Sequence, residues 1–151
     1  MSPFKVLITR RLPTSLEKLE TFAELEVWPE RQPPPYEVLL EKAQNVDGLL
    51  CLLTDRIDQP LITANSGLKV ISQMAVGFDN IDIAAATAHK IPVGHTPGVL
   101  TDATADLTWA LLMASARRVV EGDRLTRQGK WQTWEPDLLL GPNVAGATLG
   151  I

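Results

Sequence analysis

The sequence predicts an α/β protein built on a parallel sheet of five strands with helices between them. Three observations carry that prediction. Short apolar or β-branched runs alternate with helical patterns from Lys5 to His95. One of these runs, Gly48 to Leu53, is apolar without a break, as a central parallel strand covered on both faces requires. Strand–helix–strand alternation of this kind closes through right-handed crossovers, which lay successive strands side by side and parallel.

Each element has its own signal. Lys5-Val6-Leu7-Ile8-Thr9 is a short β-branched apolar strand. Pro13 and Thr14 open a helix reaching to about Phe22, with Leu16, Leu19 and Phe22 on one face. Leu25-Glu26-Val27-Trp28 alternates apolar and polar, the mark of a half-buried edge strand. Pro33-Pro34-Pro35 forbids helix and makes a stiff surface link. A helix then runs from about Tyr36 to Gln44, with Val38, Leu39, Leu40 and Ala43 inward. After the central run, Asp58 to Ala64 is a short helix that tolerates Pro60 in its first turn. Val70 to Ala75 is the fourth strand, Ile81 to His89 an alanine-rich helix, and Pro92 to His95 a short fifth strand.

The next element departs from this rhythm. From Thr101 the chain can continue helical to about Gln128, with Thr101 or Asp102 as N-cap and Gly129 as the stop. Ala103 to Ala116 is apolar nearly all round, so burial on several sides is expected, whereas Arg117 to Lys130 is charged and solvated. Such a helix links two domains or lies across a subunit interface. Ala147-Thr148-Leu149-Gly150-Ile151 reads as the beginning of another buried strand.

Composition narrows the functional classes. The 151 residues are 45% hydrophobic and 21% charged, within the range of one globular core. A net charge of −4, with no basic cluster longer than Arg10-Arg11 or Arg117-Arg118, argues against a nucleic-acid partner. Apolar runs are far too short to span a membrane, and the N-terminus lacks a secretory pattern. The one cysteine, Cys51, lies inside the central apolar run and reads as a buried core thiol, which fits a reducing cytoplasm. No metal-ligand spacing is present.

The chemistry-bearing segment is Met74-Ala75-Val76-Gly77-Phe78-Asp79-Asn80-Ile81-Asp82. A strand that ends in a glycine turn leaves backbone N–H groups unpaired at the carboxyl edge of the sheet, where they can bind a carboxylate. A tight turn that merely needs glycine accounts for the same residues. Together with Thr96-Pro97-Gly98-Val99-Leu100-Thr101-Asp102-Ala103-Thr104-Ala105-Asp106, this segment resembles the D-isomer-specific 2-hydroxyacid dehydrogenases, most closely their glyoxylate/hydroxypyruvate reductases. The resemblance extends from Lys5-Val6-Leu7-Ile8-Thr9 to Gly129-Lys130-Trp131-Gln132-Thr133-Trp134.

That resemblance implies a flavodoxin-like, doubly wound substrate domain over residues 1–100. Residues 101–151 would then be an interdomain and dimerisation helix, a tryptophan loop and the first strand of an incomplete NAD(P)-binding domain. It further implies that the Val76 and Gly77 amides hold the substrate carboxylate and that Leu53 lines the pocket, although core packing explains Leu53 equally well. Thr104 would face the nicotinamide of NADP or NAD, with hydrogen bonding at the helix start as the even alternative. Trp134 would restrict substrate size from a neighbouring subunit, with ordinary loop packing as the alternative. The implied partners are a small 2-oxo or 2-hydroxy acid and a second copy bound through the 101–128 helix, with neither nucleic acid nor membrane.

No catalytic residue is expected in this chain. His89 falls at a helix end and His95 near a strand end, where only a pocket-rim role is open to it. Gly146-Ala147-Thr148-Leu149-Gly150 is not a dinucleotide fingerprint, and the arginine and Glu–His pair of such enzymes are not among these residues. The 151-residue polypeptide is therefore expected to be inactive alone. A non-enzymatic flavodoxin-like module for dimerisation or small-carboxylate binding is the alternative.

Overall fold

In a computed structural model of the chain, residues 4–150 are described. They divide into two compact units, the first ending at Val99 and the second beginning at Leu100.

The first unit holds strands β1 (Phe4–Ile8), β2 (Ala23–Val27), β3 (Gly48–Cys51), β4 (Val70–Gln73) and β5 (Val93–Gly94). Helices α1 (Glu17–Glu20), α2 (Tyr36–Ala43), α3 (Gln59–Thr63) and α4 (Ile83–Ala88) connect them in alternation. The sheet order is β2-β1-β3-β4-β5 and every pairing is parallel. This is the five-stranded parallel sheet expected from the apolar runs, with the flavodoxin-like arrangement that the resemblance implied. Gly48–Cys51 lies at its centre and the alternating strand β2 at its edge, as their patterns required.

Leu7, Leu49, Cys51 and Ile71 from the strands pack with Leu39, Ala43, Leu61, Ile62 and Ala86 from the helices, all fully or nearly fully buried. Burying each large aliphatic side chain contributes about 1.5–3 kcal/mol, so this cluster is the main source of the unit's stability. Asn65 ties the layer together at one edge: its Nδ2 donates to the Ala43 and Val46 carbonyls at 2.8 and 2.7 Å.

Several elements differ from expectation. The helix expected from Pro13 shrinks to the four residues of α1, none of them buried, because Phe22 and its neighbours find no core to cover. The long helix is two helices, α5 (Thr101–Ala116) and α6 (Val119–Arg127). Arg118 adopts a left-handed conformation (φ 53°) that ends α5 before α6 begins. The corner is packed from outside: a side chain on Gly141 would overlap the Ala116 carbonyl oxygen, so the loop's backbone sits directly on it. Arg118 also ion-pairs with Glu121 at 2.5 Å.

Neither Thr101 nor Asp102 caps α5; Leu100 stands at that position without a side-chain cap. No residue of α5 is buried, although burial on several sides was expected from its apolar surface. Gly129, at φ 64°, does end α6, with the Gly129 and Lys130 N–H groups returning to the Thr126 and Leu125 carbonyls. Residues 147–150 form no strand, since a strand needs a neighbour to pair with and none stands beside them among the described residues; Ile151 lies outside these.

Candidate functional site

Parallel strands deliver their following loops to one edge of the sheet, the carboxyl edge, where α/β proteins gather their ligands. Here the loops after β1, β3 and β4 meet there. Asp55, buried after β3, is the hub of the first two. Its carboxylate accepts from Thr9 Oγ1 at 2.5 Å and from the Leu52 N–H at 2.7 Å, and lies 3.4 Å from the Arg10 guanidinium. Arg10 also donates to Thr54 Oγ1 at 2.6 Å. A buried carboxylate with three donors, one of them a cation, is well compensated, and it fixes the path of Leu52-Leu53-Thr54.

Asn80 joins that loop to the turn after β4. Its Nδ2 donates to the Leu52 and Asp55 carbonyls at 3.1 and 2.9 Å, while its Oδ1 accepts from Gln73 Nε2 at 2.7 Å. The fully buried Gln73 also donates to the Gly77 carbonyl at 3.2 Å, and its Oε1 accepts from Cys51 Sγ at 3.0 Å. Backbone hydrogen bonds from Ile57 to Asn80 and from Asp82 to Ile57 close the same junction.

On this frame the turn Met74–Phe78 presents Val76 and Gly77 at the surface. Among the described residues, neither the Val76 nor the Gly77 N–H has a protein acceptor, whereas the neighbouring carbonyls are used. Ala75 O accepts from the Thr96 N–H at 2.9 Å, and Val76 O lies 2.9 Å from His95 Nδ1. Gly77 does not have a positive φ, and a Cβ placed on it would meet only Leu53 Cδ2, at 3.9 Å. The fold itself therefore does not demand glycine at this position. Leu53 is exposed beside it, so core packing does not explain Leu53.

The structure thus brings Val76, Gly77 and Leu53 together. Thr104 and Trp134 belong to the second unit, both exposed, and neither side chain makes a hydrogen bond among the described residues. Thr104 uses only its backbone at the helix start: its N–H returns to Leu100 O and its carbonyl accepts from Thr108. Trp134, three-quarters exposed, is not packed into its loop.

The sequence did not single out Asp55, Asn80 or Gln73. Each is a polar residue at the end of an apolar run, but its partners lie up to 46 residues away. His95 was left a rim role and proves to touch the Val76 carbonyl. A groove of about 400 Å3 that Leu53 also lines carries Asp55, Asp58, Asp79 and Asp82 with Arg56 as its one cation, an arrangement that repels a carboxylate.

A nicotinamide dinucleotide needs a glycine-rich turn at a helix N-terminus for its diphosphate. The described residues do not form one. Thr104 stands on an exposed helix between Asp102 and Asp106, whose charges oppose a diphosphate. No group of three His, Cys, Asp or Glu able to hold a metal occurs among the described residues, and no helix is long and apolar enough to cross a membrane.

Comparison with known proteins gives these features a family. Residues 6–148 match the model of the D-isomer specific 2-hydroxyacid dehydrogenase catalytic domain. Glyoxylate reductase of Aeropyrum pernix is 51% identical over 97% of the chain, which spans 45% of that protein. The TT0316 protein of Thermus thermophilus superposes with a TM-score of 0.86 at 48% identity, over 91% of this chain and 44% of that one. An NADPH-dependent glyoxylate/hydroxypyruvate reductase of Sinorhizobium meliloti, solved with NADP and malonate, gives 0.70 at 27% identity, over 86% and 40%. The chain spans about half the length of the relatives it matches. With a family model covering nearly all its residues and a matching parallel sheet, the chain belongs to the D-isomer-specific 2-hydroxyacid dehydrogenases.

Proposed function

We propose that this chain supplies the carboxylate-holding half of the substrate site in an oxidoreductase that reduces glyoxylate or hydroxypyruvate to D-2-hydroxy acids. Residues 1–100 are the substrate-binding portion in this reading, and residues 101–151 belong to the link, the dimer contact and the cofactor domain. One observation carries the reading. Two consecutive amides, one of them that of a glycine the backbone does not need, stand without acceptors among the described residues at the sheet's carboxyl edge. Glycine then serves the close approach of a ligand. The Val76 and Gly77 N–H groups hold the carboxylate, and Leu53 forms an apolar wall beside it.

The hydride in this reading comes from NADPH or NADH, in line with the NADPH dependence of the Sinorhizobium relative. In this reading Thr104 contributes at the nicotinamide end. Trp134 limits substrate size across a dimer formed through the 101–128 region, and a cytoplasmic setting suits the single reduced thiol.

Gly77→Ala tests the carboxylate reading. The substitution is expected to leave the fold intact, or to stabilise it by about 0.5 kcal/mol through the unfolded state, because the native backbone accepts a Cβ there. Binding of oxalate, followed by chemical-shift titration, should weaken at least tenfold as the methyl group enters the ligand's space. Equal binding by Gly77→Ala and the wild type would overturn the reading. The 151-residue polypeptide alone is expected to oxidise no NADPH with glyoxylate above a protein-free blank, since it lacks a general acid placed against the carbonyl.

A further inference from the structure

The two unpartnered amides belong to consecutive peptide units. The Val76 N–H lies in the Ala75–Val76 unit and the Gly77 N–H in the Val76–Gly77 unit. The oxygens of both units are held by one short segment, Ala75 O by the Thr96 N–H and Val76 O by His95 Nδ1, each at 2.9 Å. In a trans peptide the N–H points opposite to the C=O of its own unit. Successive amides of an extended chain would point to opposite sides. Here both oxygens face residues 95–96, so both N–H groups face away from them, on the same side of the turn.

We propose that His95 is a positioning residue for the carboxylate site: it clamps the Val76 carbonyl and so aims and strengthens the Gly77 N–H. The inference rests on the carboxylate reading of Val76 and Gly77. A carbonyl only accepts, so the proton of the imidazole sits on Nδ1. An accepted hydrogen bond polarises a peptide unit and makes its N–H a better donor. The ring is itself oriented by Phe78, whose ring meets it edge-on at 5.1 Å and 77°. Gln73 performs the same service one unit further on, at the Gly77 carbonyl. His95 is exposed and lies outside the hydrophobic core, so its replacement changes the turn without removing the support beneath it.

The test uses the 151-residue chain labelled with 15N and sodium oxalate as probe. In the wild type, the Val76 and Gly77 amide resonances are expected to shift saturably. His95→Phe keeps a ring against Phe78 but has no donor, and should bind oxalate about three- to tenfold more weakly, the range a neutral hydrogen bond supplies. His95→Asn places a donor where Nδ1 stood and should bind within about twofold of the wild type. Should His95→Phe fail to fold, His95→Gln takes its place, since its amide reaches the Nε2 position instead. Undiminished binding by the donor-less variant, or equal losses in His95→Asn, would overturn the clamp. Absence of any shift at Val76 and Gly77 in the wild type would overturn the carboxylate reading itself, and the clamp with it.

Discussion

Cys51 ends β3 directly beneath the candidate site, fully buried, with its thiol donating to Gln73. Burial, and then the charge of Asp55, push its pKa up to about 12. A thiolate is the reactive form, so at pH 8 the native protein should resist a disulfide reagent and release one equivalent of thiol only after denaturation. Rapid labelling of the native protein at pH 8 would mean that β3 opens to solvent. The pattern around Cys51 was legible because an uninterrupted apolar run that short, set between turns, fits a strand covered on both faces. Gly77 was legible too, as the residue that ends a strand in a turn. Asn80 was not, although it stands three residues further on. Its meaning lies in the Leu52 and Asp55 carbonyls, which only the folded sheet brings to it. His95 failed to declare itself for the same reason, since its partner carbonyl is 19 residues away.

Elements whose signal is local came through, and those decided by packing did not. Asp58 caps α3 through the Leu61 N–H at 3.2 Å and accepts from the Tyr36 hydroxyl at 2.7 Å. Burial opposes its ionisation, but those hydrogen bonds and the nearby Arg56 charge outweigh it and hold the carboxyl below the ordinary range. A depressed folded value adds stability that is complete above about pH 4 and is lost as pH falls through the folded value. Asp58→Ala should therefore cost about 1–2 kcal/mol in urea unfolding at pH 7. Asp58→Asn keeps a capping oxygen and should flatten the decline below pH 4; an unchanged acid limb would assign that decline to other carboxylates. The break at Arg118 had no such local signal. Neither glycine nor proline stands there, and an arginine in the left-handed region reflects the corner against the 139–141 loop. The four-residue α1 is the converse case: a good helical pattern whose apolar face gained only partial burial at Leu16 and Leu19 and none at Phe22, and did not extend.

At the scale of the whole molecule, the two units differ in what they bury. The first closes a core around its sheet; the second leaves Leu107, Trp109, Leu111 and Met113 of α5 exposed, together with Trp131, Trp134 and Leu140. A helix apolar nearly all round with nothing buried is unstable in water, because its own hydrogen bonds scarcely offset the ordering of 16 residues. Apolar surface of that extent calls for a partner surface. A second copy is the partner the proposed function offers, and a two-fold interface would set α5 against its own equivalent. Sedimentation of the 151-residue chain should then show a dimer that dissociates on dilution. Leu111→Glu, a charge on the most solvent-open leucine of α5, should shift the population to monomer, because an unpaired carboxylate in an apolar contact is costly to desolvate. Its effect on unfolding should shrink at concentrations where the wild type is already monomeric, since an interface contributes stability only when it is formed. A wild-type chain that stays monomeric at millimolar concentration, with α5 still helical, would locate the stabilising contact elsewhere and remove the dimer from the proposed function while leaving the carboxylate site untouched.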